Sequence, residues 1–161
     1  MNHFKISVGI FIALAASRFL PHPPNFTSLM ALSFYIPIIF GFKFVSVLIL
    51  SFIITDIFIG FHEVTFFTWG SVLFIGLISK YFNKNLSLRL SGALMGALSF
   101  FLITNFGVWS FGSYGYSFAG LITCYYLAIP FFAYSLISTL FFLIIIEIIY
   151  KYRSLLFQVG R

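Results

Sequence analysis

Long apolar runs follow one another along this 161-residue chain with breaks of only a few residues, and the runs are continuous rather than alternating. A transmembrane β-strand needs alternation of apolar and polar positions, so this pattern excludes a barrel. The α-helix is then the remaining way to satisfy every backbone N–H and C=O inside lipid. A span takes about 20 mostly apolar residues, which leaves room for several helices and no soluble catalytic domain. Composition agrees, with 61% hydrophobic and 7% charged residues, well outside the range of soluble domains. The expected fold is therefore all-α and integral to a membrane, with residues 1–161 forming a single transmembrane domain.

Punctuation divides the runs. Ile6 to Leu20 is a short first span that ends at Arg18 and at the cluster Pro21, Pro23 and Pro24, which cannot continue a helix. Its Ala13 to Ser17 segment also resembles a signal-peptide cleavage region, although a polytopic chain uses its first span as an insertion signal. Further spans are expected at Ser28 to Phe42, Phe44 to Gly60, Thr65 to Ser79, Leu90 to Phe106 and about Ala133 to Tyr150. Ser117 to Tyr150 is too long for one span, since a helix of that length measures about 51 Å against a hydrocarbon core of about 30 Å. Pro130 offers a break, making Ser117 to Phe132 a separate re-entrant or interfacial segment before the last helix.

Charge then orients the bundle. If that segment dips and returns, Lys5, Lys43, Lys80, Lys84, Arg89, Lys151, Arg153 and Arg161 all share one side, and of the nine Lys and Arg residues only Arg18 is left on the other. The positive-inside bias favours this arrangement. The expectation is a compact six-helix bundle with cytoplasmic N- and C-termini in a bacterial cytoplasmic (inner) membrane, multi-pass. The net charge of +6 is spread over helix ends and forms no basic stripe, so its partner is the lipid bilayer and not nucleic acid. Glu147, four residues before Lys151, suits an ion pair within the last helix. The lone Cys124 permits no intramolecular disulfide, and burial in an apolar helix is its commoner role.

The outer side gathers the remaining reactive groups. Arg18, His22, Asn25, Asp56, His62, Asn105 and Trp109 form the expected ligand-binding set, with Glu63 nearby and Trp69 one turn inside its span. Asp56 lies about one helical turn below the membrane surface, where a carboxylate needs a partner, and Arg18 is the plainest one. Three prolines stiffen Arg18 to Thr27 into a rigid connector suited to covering a pocket, and Thr27 or Asn25 is placed to cap the next helix. The charge-free stretch Gly107 to Gly120 reads as a flexible loop whose aromatics either stack on a ligand or anchor at the interface. The histidines and acids lack any metal-ligand spacing, and neither G-x-S-x-G nor H-E-x-x-H occurs. No metal, cofactor or catalytic residue is assigned, and the chain is not expected to be an enzyme. Small residues at Ala13 and Ser17, and at Gly92 and Gly96, let helices approach closely, with packing inside the bundle favoured over docking of another protein.

The run RFLPHPPNFTSLMA from Arg18 to Ala31 resembles the signature of an uncharacterised bacterial family of small membrane proteins regarded as transporters. Thr55-Asp56, Gly60-Phe61-His62, the Thr104 to Trp109 run and Gly120 through Cys124-Tyr125 to Pro130-Phe131-Phe132 extend the likeness over most of the chain. Its size and outward loops are similar to the substrate-binding S components of energy-coupling-factor transporters. That resemblance implies capture of a vitamin or related micronutrient on the outer side, and uptake driven by a transmembrane coupling protein and ATPases. It also implies that Ala13, Ala16 and Ser17 dock the coupling protein, although a strict alanine pattern would place Ala at Ser17. It casts Cys124 weakly as a cobalt ligand of the kind a cobalamin-binding component would offer. The chain carries no Walker motif, so any ATP is used by the partner. A solitary carrier or channel and a structural or assembly protein are the alternatives.

Overall fold

The computed structural model describes residues 3–158, and these form six helices joined by short turns, with no strand among them. The helices are α1 (His3–Phe19), α2 (Leu29–Phe40), α3 (Phe44–Ile59), α4 (Thr65–Ser79), α5 (Leu86–Ser110) and α6 (Phe118–Gln158), with one 3₁₀ turn (Lys80–Phe82) after α4. Thr65–Phe82, Leu86–Ser110 and Phe118–Tyr152 are long and apolar enough to cross a membrane, and α2 and α3 are shorter apolar helices. The side chains of Arg153 and Arg161, two of the eight cations in the charge argument, lie outside those described.

Most helix boundaries follow the apolar runs, but α5 begins four residues before its expected start. The Asn85 side chain accepts a hydrogen bond from the Leu88 N–H at 2.9 Å and so caps the helix. Arg89 is thereby drawn inside the helix instead of serving as a loop cation.

The expected separate segment before the last helix does not form. Phe118–Gln158 is one 41-residue helix that runs through Pro130. Proline removes a single backbone hydrogen bond, whereas a break inside an apolar run would strand several backbone polar groups, so continuity costs less. The Phe101 ring of α5 packs beside this point, 5.5 Å from Tyr125 and 4.6 Å from Phe132 between ring centroids. Between the Asn105–Cys124 and Arg89–Glu147 contacts, α6 advances about 35 Å along its axis while α5 advances about 24 Å. The longer helix must therefore curve along or run oblique to the shorter one.

The core is built where small residues allow close approach. Leu14, Phe34, Leu48, Val72, Ile75 and Leu143 are buried at its centre. A methyl group on Gly92 would lie 2.6 Å from Phe82 and 2.7 Å from Phe34, and one on Gly96 would lie 3.1 Å from Ile75. The small residues of α5 thus serve packing inside the bundle. Those of α1 divide: Ser17 turns inward, its Oγ 2.7 Å from that of Ser28, while Ala13 and Ala16 are exposed.

Candidate functional site

One end of the bundle is organised around Asp56, which is 1% exposed and sits one turn before the end of α3. Gly60 closes that turn with φ of 108°, a conformation that favours glycine, and its N–H bonds to the Asp56 carbonyl at 2.8 Å. Arg18 arrives from the last turn of α1, where the helix dipole favours a cation. Its Nη2 lies 2.6 Å from Asp56 Oδ1, and Trp69 of α4 donates its indole N–H to Oδ2 at 2.8 Å. Arg18 Nη1 also donates to Thr55 Oγ1 at 2.6 Å, and the guanidinium carbon lies 4.5 Å from the centre of the Phe52 ring. The contact at Oδ1 is held by charge, because no donor reaches that oxygen in good hydrogen-bond alignment. The cluster ties α1, α3 and α4 together at the level where the cation and the acid were each expected.

The proline loop folds over this cluster and is pinned at both sides. Ser28 N–H bonds to Ser17 Oγ at 3.1 Å, and Ser138 of α6 donates to the Asn25 carbonyl at 3.4 Å. Asn25 takes a left-handed φ of 61°, which asparagine tolerates better than most residues. Phe26 packs against Phe141 and Phe142. The His22 ring faces two carbonyl oxygens, that of Pro23 at 2.7 Å and that of Arg18 at 3.3 Å. The cap at α2 differs from expectation: Ser28 occupies the cap position, and Thr27 contributes only a long bond of 3.5 Å to Leu29 N–H.

Two adjoining cavities lie under the loop. One of about 230 Å³ is lined by Arg18, His22 and Phe52, the other of about 210 Å³ by Thr104, Asn105 and Ser135, and both are lined by Asn25, His62, Thr68 and Phe100. Five of the seven expected ligand-binding residues therefore line these two adjoining cavities: Arg18, His22, Asn25, His62 and Asn105. Asp56 stands behind them, reaching the cavities only through Arg18.

Trp109 does not join them. Its indole N–H donates to the Ser117 carbonyl at 3.3 Å and its ring packs near Phe106, closing the turn between α5 and α6. That turn is also shorter than the expected flexible loop from Gly107 to Gly120, because α5 continues to Ser110 and α6 starts at Phe118. Gly107 packs against Phe67, where a side chain has no room. Cys124 is buried with its Sγ 3.4 Å from the Asn105 carbonyl, behind the cavity wall.

Sequence reasoning missed Thr55, Thr68, Phe52 and Phe100 at this site, since a hydroxyl or phenyl group in an apolar helix carries no signal of its own. It also misassigned Glu147. That carboxylate receives Arg89 Nε at 2.6 Å on Oε1 and Arg89 Nη2 at 2.9 Å on Oε2, and Tyr35 O–H donates to Oε1 at 2.6 Å. The expected pairing with Lys151 is replaced by this inter-helix cluster, because a bidentate guanidinium outcompetes an exposed ammonium.

The described residues thus form an all-helical bundle in which three helices are long and apolar enough to cross a membrane and polar side chains gather around cavities at one end. The chain belongs to a family of unknown function, DUF6580, whose model it matches over residues 1–157. No curated protein and no solved structure matches it.

Proposed function

We propose that the protein captures a small solute at the Asn25–His62–Asn105 cavity and serves its uptake as the membrane subunit of a transport system. The observation that carries this reading is the convergence of polar side chains from the proline loop, the α3–α4 turn and α5 on two adjoining cavities whose other walls are largely apolar, the usual make-up of a small-molecule site. The bundle sits in a bacterial inner membrane with its cation-rich end in the cytoplasm, as the positive-inside bias favours. The substrate is of vitamin or micronutrient size, and energy comes from a coupling protein and ATPases, as in the S components that the sequence resembles. The exposed Ala13 and Ala16 face of α1 is the docking surface for that coupling protein, with Ser17 behind it bonded to Ser28.

Mass spectrometry of small molecules released from the purified, heat-denatured protein tests the capture. A specific molecule should be released from the natural protein, and His22→Ala and Asn105→Ala should each reduce its amount about tenfold or more while the melting temperature holds. Loss of one hydrogen bond to a polar ligand group accounts for an effect of that order. Release of nothing by the natural protein would sink the proposal. It would favour a structural or assembly role, which the pairing of Asp56 with Arg18 and Trp69 also suits.

Orientation is tested separately. With cysteine placed at His62 or at Lys84 in intact cells, a membrane-impermeant maleimide should label position 62 and should reach position 84 only after permeabilisation. Labelling of both from the same side would overturn the topology.

A further inference from the structure

At the end of the bundle away from Asp56, a groove of about 850 Å³ opens between the first turns of α5 and the later turns of α6. The buried Leu143 forms its floor, and Leu86, Leu90, Ile144 and Ile148 form aliphatic walls. Polar groups collect at Arg89, Glu147 and Lys151. Glu147 is fully engaged by Arg89 and Tyr35, with both carboxylate oxygens accepting hydrogen bonds. Arg89 commits Nε and Nη2 to that pair, and Nη1 takes no part in it. Lys151 is exposed and has no acidic partner among the described residues. One acid therefore faces two cations, and the groove carries a net positive charge.

This division of chemistry fits a ligand with an aliphatic chain and an anionic head. A water-soluble anion would leave the Leu and Ile walls without a partner. A second copy of the chain seated in the groove would bring its own cations against these. We propose that the groove is a binding site for an anionic phospholipid, with an acyl chain along Leu90, Ile144 and Ile148 and the phosphate between Lys151 and Arg89. Attraction of such headgroups to basic residues at a membrane surface is expected on general grounds; the geometry adds one defined place for a single lipid. The leaflet in which this lipid resides rests on the orientation proposed above, but the site itself does not. The labelling experiment therefore fails independently of the one that follows.

The test uses the full chain released from nanodiscs made of phosphatidylglycerol or of phosphatidylcholine and weighed intact by native mass spectrometry. One phosphatidylglycerol should remain bound at collision energies that strip phosphatidylcholine. Lys151→Ala, which leaves the Arg89–Glu147 pair whole, should reduce that retention about fivefold, the effect of one basic residue near an anionic surface. Ile144→Trp, at an exposed position, should fill the groove and reduce it by as much. Equal retention of the two lipids, or retention that neither variant changes, would refute the site. Disulfide crosslinking of Ile144→Cys between two copies in the membrane would refute it as well, in favour of a self-association surface.

Discussion

Asp56→Ala is expected to destabilise the protein by about 3–5 kcal/mol, the usual result of removing one partner from a buried ion pair. The carboxylate is 1% exposed, and its loss leaves the Arg18 guanidinium facing Phe52 and Thr55 without a counter-charge. Trp69 loses its acceptor in the same step. The expectation differs for the paired change: Arg18→Met with Asp56→Leu should recover most of the stability, since apolar replacement of a whole buried pair is commonly neutral or favourable. Thermal melts of the purified variants in detergent check both statements. A double variant as unstable as the single one would show that the helices need the charges themselves and not merely matched neighbours. The same double variant also separates stability from function, because a stable bundle that no longer releases the captured molecule places Arg18 in recognition.

Sequence alone made the Arg18–Asp56 cluster legible for a simple reason. Asp56 is an acid inside an apolar run, Arg18 is the cation that ends another, and each is costly among apolar side chains without a partner, so their pairing was the plainest expectation. His22, Asn25 and His62 were readable because prolines and a glycine mark the turns that carry them, at the ends of the apolar helices. Trp109 was misplaced because an indole at a helix end has the same sequence signature whether it faces a cavity or closes a turn, as it does against Ser117. Pro130 misled through its strong local meaning: a proline commonly ends a helix, but inside a long apolar run a broken helix leaves more backbone groups unpaired than one slightly defective turn does. The number of helices survived this error, since the expected dip had been set apart from the last span and the chain folds both into α6.

The Tyr35–Arg89–Glu147 cluster was hidden by distance along the chain. Tyr35 and Glu147 are 112 residues apart and Arg89 and Glu147 are 58 apart, while Lys151 stood one helical turn from the acid and looked sufficient. The two clusters divide the bundle between them. Arg18, Asp56 and Trp69 link α1, α3 and α4 at one end, and Tyr35, Arg89 and Glu147 link α2, α5 and α6 towards the other, so every helix is held by one charged contact. Polar contacts of this kind fix which helices are neighbours where apolar packing alone would tolerate alternatives.

Glu147→Ala should accordingly cost about 3 kcal/mol, near the lower end for a broken buried pair, because Arg89 and Glu147 are 13% and 15% exposed and part of the lost interaction is replaced by water or headgroups. Tyr35→Phe removes one hydrogen bond to a charged oxygen and keeps the ring in place, and about 1.5 kcal/mol is expected from it. The order of the two effects decides how the cluster works. With Arg89 as the main partner, Arg89→Lys should fall between them, since an ammonium restores the charge but cannot engage both carboxylate oxygens in the planar geometry of the guanidinium. Detergent melts of Glu147→Ala, Tyr35→Phe and Arg89→Lys in parallel give the ranking. If Tyr35→Phe proved as damaging as Glu147→Ala, the hydroxyl rather than the guanidinium would be what holds α2 and α6 in register. The cluster would then be a neutral hydrogen-bond junction that merely borrows a charge.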